Sequence, residues 1–476
     1  MKSICFALIS LLSLNLFASP IIEITSTEEL KTYLQLNHFN GAVLVIKNNQ
    51  SLLKFAMGVA DSETGVPLTT EDIFQIGSST KQFVAAAILK LQEENKLSID
   101  DSVSKYVPQF LERPEITVRD LLNHSSGLKN YTDIEDFWTL MAQKQLLTLD
   151  DIIDFALQYP KDFDVRTDWN YSNTGYIVAG KIIENVSGQA WDEFIRNNFL
   201  LELGMMETGH EDFFQHASHL KPHQIVDGKL VRLPEFHMTW ALSAGSFYST
   251  LEDLSRWLDI YLEKKVASNL LSQASLNEMT TPFKANYGLG VWIRKVGNDK
   301  IISHTGRTPG FVSSTGVLVG EKLKVITLDN SDGYISKLGD KVFDLYIKGK
   351  AIVLKTTFIP MSEMQLKEYE GFYKGLGLSV QVFVKAGKLY LQPTDGQPPY
   401  EMKAVDIDSF NLEGFAGEEF LRDQNGIIIS LKHYQNNVSS IFTKTNNPID
   451  LQSLKNKKIH RPFFERMKSN FQKIIH

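Results

Sequence analysis

Cysteine is almost missing: the 476-residue chain has one, Cys5, so neither a disulfide framework nor a thiolate metal cage can hold it together. Also missing are a G-x-S-x-G elbow, an H-E-x-x-H pair and a Walker A lysine loop, which removes the usual α/β-hydrolase, zincin and P-loop readings. Past the first 19 residues no stretch offers roughly 18 consecutive apolar residues, so no membrane-spanning helix is expected there. Internal repeats and low-complexity tracts are absent too. Basic residues number 49 against 56 acidic ones, and the net charge of −7 makes nucleic acid a poor partner. What is present is ordinary globular composition, 43% hydrophobic and 22% charged. A chain this long buries roughly three quarters of its unfolded surface and needs no metal or disulfide for a core.

The N-terminal stretch Met1 to Ser19 has Lys2, the apolar run Ile4 to Leu14 and the small residues Ala18 and Ser19. It reads as a secretory signal peptide, with cleavage expected near Ala18 or Ser19, a cysteine-free mature chain, and a secreted or periplasmic location. No lipoprotein anchor is expected at Cys5, which directly follows Lys2-Ser3-Ile4. At the other end, Lys455, Lys457, Lys458, Arg461, Arg466, Lys468 and Lys473 face only Glu465. This basic tail, 447–476, reads first as a solvated terminal helix and second as a peripheral membrane contact through Phe463, Phe464, Phe471, Ile474 and Ile475.

Between the ends, Gly41 to Ile46, an Asn48-Asn49-Gln50 turn and Ser51 to Ala60 predict a hairpin, with a third strand near Ile73. From Ser78 the pattern turns helical, because Val84, Ala87, Ile88 and Leu91 share one face. From about Leu97 to Trp257 the chain reads as helix and loop, including helices Val118 to Asn123, Leu149 to Leu157, Tyr176 to Val186 and Leu251 to Leu262. Strands return at Gly290 to Val296, Ile301 to His304, Phe311 to Leu318 and Leu323 to Leu328. Strands at both ends of a helical middle predict an α+β domain, 20–355, in which distant segments close one antiparallel sheet. From 360 to 446 short alternating strands broken by glycines predict a small antiparallel β-domain, a barrel or half-barrel.

S-x-x-K occurs at Ser51-Lys54, Ser78-Lys81 and Ser102-Lys105, and context separates the three. Acyl-transfer chemistry needs the serine at a buried helix start, where a lysine one turn on shares its face. Ser51 falls in the hairpin and Ser102 in a polar loop, whereas Ser78 follows apolar Phe74-Gln-Ile-Gly77 and opens an apolar helix. Ser79 with Gln82 matches a capping box, so the cap alone could explain the serines. Lys81 in the first turn nevertheless opposes the macrodipole, and a lysine held out of water gives up its proton readily enough to act as base to a neighbouring hydroxyl. Tyr171-Ser172-Asn173 precedes the Tyr176 helix and offers the groups of a proton relay and an amide holder, or simply an N-cap. His304-Thr305-Gly306 ends a late strand, where glycine lets backbone come close to a substrate. His216, His219 and His223 have a spacing that could ligate a metal but lack a carboxylate partner, so no metal is expected.

In that order and spacing, Ser78-Ser-Thr-Lys81, Tyr171-Ser-Asn173 and His304-Thr-Gly306 resemble the serine β-lactamase and penicillin-binding protein superfamily, closest to its class C β-lactamase-like branch. Leu121-Leu-Asn-His-Ser-Ser-Gly-Leu128, Ala244-Gly245 and Gly310-Phe311 support the resemblance, which covers about residues 25 to 350. It implies a mixed sheet flanked by helices, an all-helical subdomain, and an active site between them. By the same resemblance Ser78 is the acylated nucleophile, Lys81 its base, Tyr171 the second acid/base and Asn173 the holder of the substrate amide. His304, Thr305, Gly306 and Arg307 line the substrate, with the N–H groups of Ser78 and Arg307 as oxyanion hole. The β-domain resembles the lipocalin-like modules that accompany some of these hydrolases. The departure is His304, where such enzymes usually carry lysine. A histidine there is expected to gain charge as pH falls through about 6.5, and it turns the expectation from β-lactams toward D-amino-acid peptides and esters. The sequence thus predicts an exported, cofactor-free serine hydrolase of D-aminopeptidase, carboxypeptidase or esterase type, acting on small peptide, ester or β-lactam-like substrates. The competing reading is a non-catalytic binder of cell-wall peptides with a retained pocket.

Overall fold

The structure, a computed structural model, describes residues 21–143, 146–210, 220–226, 229–235, 237–262, 270–331, 338–354, 358–375, 378–393, 399–412, 416–435 and 438–445. The predicted signal segment, the basic tail, His216 and His219 lie outside the described residues. The described chain divides into two compact units, one formed by 25–351 and the other by 352–445 together with 21–24.

The first unit is built on a six-stranded sheet in the order 50–57, 41–47, 323–329, 311–318, 299–308 and 292–296. Every pairing in it is antiparallel, as the strand pattern predicts and unlike the mixed sheet that the resemblance implies. The closure joins the two ends of the unit: Val45 lies opposite Val325 and Leu44 opposite Ile326. Asn48 and Asn49 adopt left-handed backbone and make the first hairpin tight, as their side chains allow. The expected third strand shrinks to Phe74–Gln75, which pairs with Tyr248–Ser249 outside the main sheet. A second correction is a short hairpin, His223–Val226 with Lys229–Arg232, in what reads from sequence as polar loop.

Helix Lys81–Glu93 is the axis of this unit. Lys81 through Leu89 and Leu91 are all buried, as a helix apolar on every side must be. Phe83 packs against Trp257, with ring centroids 4.1 Å apart. Removing that ring would cost about 3–5 kcal/mol through lost packing. Helix Asn173–Ser187 crosses it, stopped at Gly188 in left-handed conformation.

The second unit carries a closed eight-stranded barrel: 371–375, 378–385, 388–393, 400–406, 409–412, 416–422, 428–435 and 438–445. Phe372 opposite Thr445 closes it. Tyr369, Tyr373, Phe410 and Phe420 fill its core with tilted or edge-on aromatic contacts. The short alternating strands expected in this region are there, although glycines, lysines and acidic residues blur the alternation in 371–375, 400–406 and 416–422.

Candidate active site

Ser78 lies in a single 3₁₀ turn, Gly77–Thr80, that runs straight into helix Lys81–Glu93. Because the turn continues into the helix, no exposed N-cap forms and the capping box expected from Ser79 and Gln82 does not occur. The Ser79 hydroxyl instead meets that of Ser313 at 3.0 Å, while the Gln82 amide donates to Thr315 at 3.2 Å. Ser78 itself is half-buried. Ser51 sits in an edge strand and Ser102 caps a separate short 3₁₀ helix, so the other two S-x-x-K matches lie outside the site.

Two glycines bring backbone to this turn. Gly77 takes φ +52°, and a Cβ on it would stand 2.6 Å from the amide nitrogen of Arg307. A Cβ on Gly306 would stand 1.8 Å from the carbonyl oxygen of Ile76. Neither position admits a side chain, and together they seat the His304-Thr-Gly306 strand against the serine.

Lys81 is fully buried, and its Nζ has three neighbours: Ser78 Oγ at 3.0 Å, Asn173 Oδ1 at 2.7 Å and the Ala244 carbonyl at 2.5 Å. None is charged, and burial drives the amine well below its ordinary pKa. A neutral amine has two N–H groups for the two carbonyl oxygens, which leaves its lone pair on the serine side. Asn173 is fixed in turn. Its N–H donates to Asn130 Oδ1 at 3.0 Å and its amide nitrogen to Thr132 Oγ1 at 3.1 Å, so it first of all holds Lys81.

Tyr171 lies with its ring centroid 5.0 Å from Lys81 Nζ. Its hydroxyl is buried beside that of Ser78. Burial raises its pKa, with the Ser78 hydroxyl opposing. The loop before it is tied down by Arg166, whose guanidinium clasps the buried Asp120 at 2.9 Å.

His304 corrects one expectation. Its imidazole is buried, and since Nδ1 meets the Thr305 carbonyl at 2.6 Å, Nδ1 must carry the hydrogen. Nε2 then accepts from the Tyr287 hydroxyl at 2.9 Å. Burial and the nearby Lys81 push its pKa down to about 3, so it gains no charge near 6.5 and supplies no switchable cation. On the same strand Thr305 is exposed and Arg307 half-buried.

His223 has both ring nitrogens engaged within the fold: Ser62 N–H donates to its Nε2 at 3.0 Å and its Nδ1 meets the Asn330 carbonyl at 3.1 Å. Among the described residues no cluster of metal-ligating side chains occurs. Sequence reasoning gives no role to His124, Tyr287, Asn130 or Thr132. The first lies in the quoted Leu121–Leu128 stretch, and the others have no signal in one sequence.

A family model described as Beta-lactamase matches residues 30–341. Penicillin-binding protein 4* of Bacillus subtilis is 28% identical over 323 residues, covering 62% of this chain and 69% of that protein. Among solved structures, the octameric penicillin-binding protein homologue from Pyrococcus abyssi superposes with a TM-score of 0.62 at 25% identity, over 87% of this chain and 98% of that one. The D-amino acid amidase from Ochrobactrum anthropi, solved with D-phenylalanine, gives 0.54 at 25% identity over 62% and 88%.

Proposed function

Because the chain belongs to the beta-lactamase family, we propose that it is a serine hydrolase that opens amide or ester bonds through an acyl-enzyme on Ser78. The observation that carries this is the fully buried Lys81 amine, 3.0 Å from Ser78 Oγ with only neutral partners. Uncharged Lys81 takes the Ser78 proton as Oγ attacks the carbonyl carbon. The oxyanion lies against the main-chain amides of Ser78 and Arg307, a pairing supported by the Arg307 nitrogen standing 2.6 Å from where a Cβ on Gly77 would sit. The proton passes by Lys81 or Tyr171 to the leaving nitrogen or oxygen, and water then attacks the acyl-serine.

The preferred substrates are amides and esters of D-amino acids. With His304 neutral and tied to Tyr287, the position where relatives offer a permanent cation offers none here. A carboxylate gains little at that point, which favours aminopeptidase, amidase or esterase action over carboxypeptidase or β-lactam turnover. The amidase neighbour solved with D-phenylalanine supports the same choice. The N-terminal signal pattern supports export, and no helix among the described residues is long and apolar enough to cross a membrane. No cofactor enters this chemistry.

Intact-mass analysis after incubation with a fluorophosphonate, penicillin and D-phenylalanine amide tests the reading. A covalent increment from the fluorophosphonate that disappears in Ser78→Ala, with release of ammonia from the amide, is the expected result. An increment that persists in Ser78→Ala overturns the nucleophile, and binding without any turnover supports the non-catalytic binder instead.

A further inference from the structure

The segment carrying Tyr171 is held from both sides by one residue outside the three motifs. The carbonyl of His124 accepts the N–H of Asn170 at 3.3 Å, and its Nδ1 accepts the N–H of Ser172 at 3.2 Å. Between these two bonds the imidazole lies on the Tyr171 ring itself, with centroids 4.3 Å apart and planes tilted by 40°. The ring also meets Tyr287 at 4.6 Å, and Tyr287 holds His304. His124 is 1% exposed and takes φ +65°, a left-handed conformation in which most side chains are strained.

The protonation pattern follows from the donors around it. A backbone N–H can only donate, so Nδ1 is the acceptor and the hydrogen sits on Nε2. Nε2 is buried and has no partner. An apolar ring would fill the same space without leaving a donor unpaired, so what the imidazole adds here is the acceptor at Nδ1.

We propose that His124 is a positioning residue that sets the Tyr171 hydroxyl for proton transfer, acting through the two backbone bonds that flank Tyr171. The inference rests on the role given to Tyr171 above. It differs from a packing role in its consequence: losing the acceptor lets residues 170–172 shift, and a shift of about 1 Å at a reacting group costs on the order of 10²-fold in rate. The loss falls on kcat, because Tyr171 moves protons and does not anchor the substrate.

Two substitutions separate ring from acceptor. His124→Phe keeps the ring and removes the acceptor, while His124→Asn keeps an acceptor at the Nδ1 position and tolerates the left-handed backbone. In the full-length chain with D-phenylalanine amide, H124F is expected to lose about 10²-fold in kcat with little change in KM, and H124N to stay within about tenfold of the native rate. Placed in a Tyr171→Phe background, H124F should change kcat by less than about twofold, since the group it positions is gone. An H124F effect as large in that background as in the native chain overturns the proposal, as does an H124N loss equal to that of H124F. Should H124F fail to fold, H124N with an unchanged melting temperature decides alone: a rate within about tenfold supports the proposal and a loss near 10²-fold overturns it. If Y171F itself leaves kcat untouched while Ser78 still labels, the role of Tyr171 fails and not the contact with His124.

Discussion

Lys81 in the first unit and Glu418 in the barrel are both ionisable groups fully shut away from water, and only one of them sits in a site. Lys81 meets three uncharged oxygens from three separate segments, one of them the half-buried Ser78 hydroxyl. Glu418 meets His433, its register partner on the next strand, through Oε1 and Nδ1 at 2.6 Å, while its Oε2 has no partner. Burial lowers the amine and raises the carboxyl, in the second case against the pull of His433. Desolvation thus acts on both, but it yields chemistry only where the neutralised group borders a reacting atom that solvent can reach. In the barrel the same effect produces a structural pair inside a wall.

Lys81→Met breaks this comparison with the largest effect. Methionine fills the space of the lysine stem without the amine, so kcat/KM is expected to fall on the order of 10⁴-fold. Stability should change little, because the cost of burying the amine is relieved while its hydrogen bonds to Asn173 and Ala244 are lost. Turnover and a thermal melt followed by tryptophan fluorescence check this, since Trp138, Trp169, Trp191, Trp240, Trp257 and Trp292 all lie in the first unit. An active variant that melts lower would make Lys81 a structural residue like Glu418.

The pH dependence sharpens the same point. Lys81 accepts the serine proton only when uncharged, so the rate of Ser78 acylation should climb about tenfold per pH unit on the acid limb and level off once the amine is neutral. The unfolded chain keeps that proton up to the ordinary 10.5, whereas the folded chain releases it lower. Between those two points the unfolded state binds more protons, so stability rises with pH there too. Stopped-flow labelling with a neutral ester across that range, with an acylation rate that ignores pH, would remove Lys81 as base.

How much of this can be read from the chain differs between the two units for a physical reason. The first unit's elements follow apolar periodicity, and strands 311–318 and 323–329 and helix 149–157 are legible to within a residue. The grouping of Ser78, Lys81 and Tyr171, on which the proposed acyl transfer rests, is legible from residue type and spacing, and the structure brings the three together. The state of His304 is not, because it depends on Tyr287, 17 positions away, and on burial that no local pattern records. The role of Asn173 in holding Lys81, 92 positions apart, is hidden in the same way. In the barrel, Gly417 and two glutamates ahead of Phe420 break the alternation of strand 416–422, and the burial of Glu418 depends on His433, 15 positions away on the next strand.

Cutting the chain after residue 354 tests whether the two units are separable. Residues 25–351 hold the whole six-stranded sheet and every group around Ser78, so the truncated protein should fold cooperatively and keep Ser78 labelling within a few-fold. A change in substrate preference alone is compatible with this. An insoluble or molten product would show that the barrel completes the hydrolase core, and the two buried groups would then belong to one cooperative unit.

Glu418→Gln should give the smallest effect and the clearest sign. The Glu418 carboxyl titrates above its ordinary 4.5 in the folded barrel. Between 4.5 and that raised value the folded state binds more protons than the unfolded one, so barrel stability falls as pH rises, opposite to the slope from Lys81. Glutamine cannot titrate and still offers a carbonyl oxygen to His433, so E418Q should flatten this slope while shifting stability by no more than about 1 kcal/mol at neutral pH. Near-UV circular dichroism set against the tryptophan fluorescence melt separates the barrel unit, which holds Tyr369, Tyr373, Tyr390, Tyr400 and Tyr434 and no tryptophan, from the first unit. Ser78 labelling should be untouched. An E418Q barrel that keeps the native slope would place the titration elsewhere, and a loss of labelling approaching that of Lys81→Met would give Glu418 a part in the chemistry.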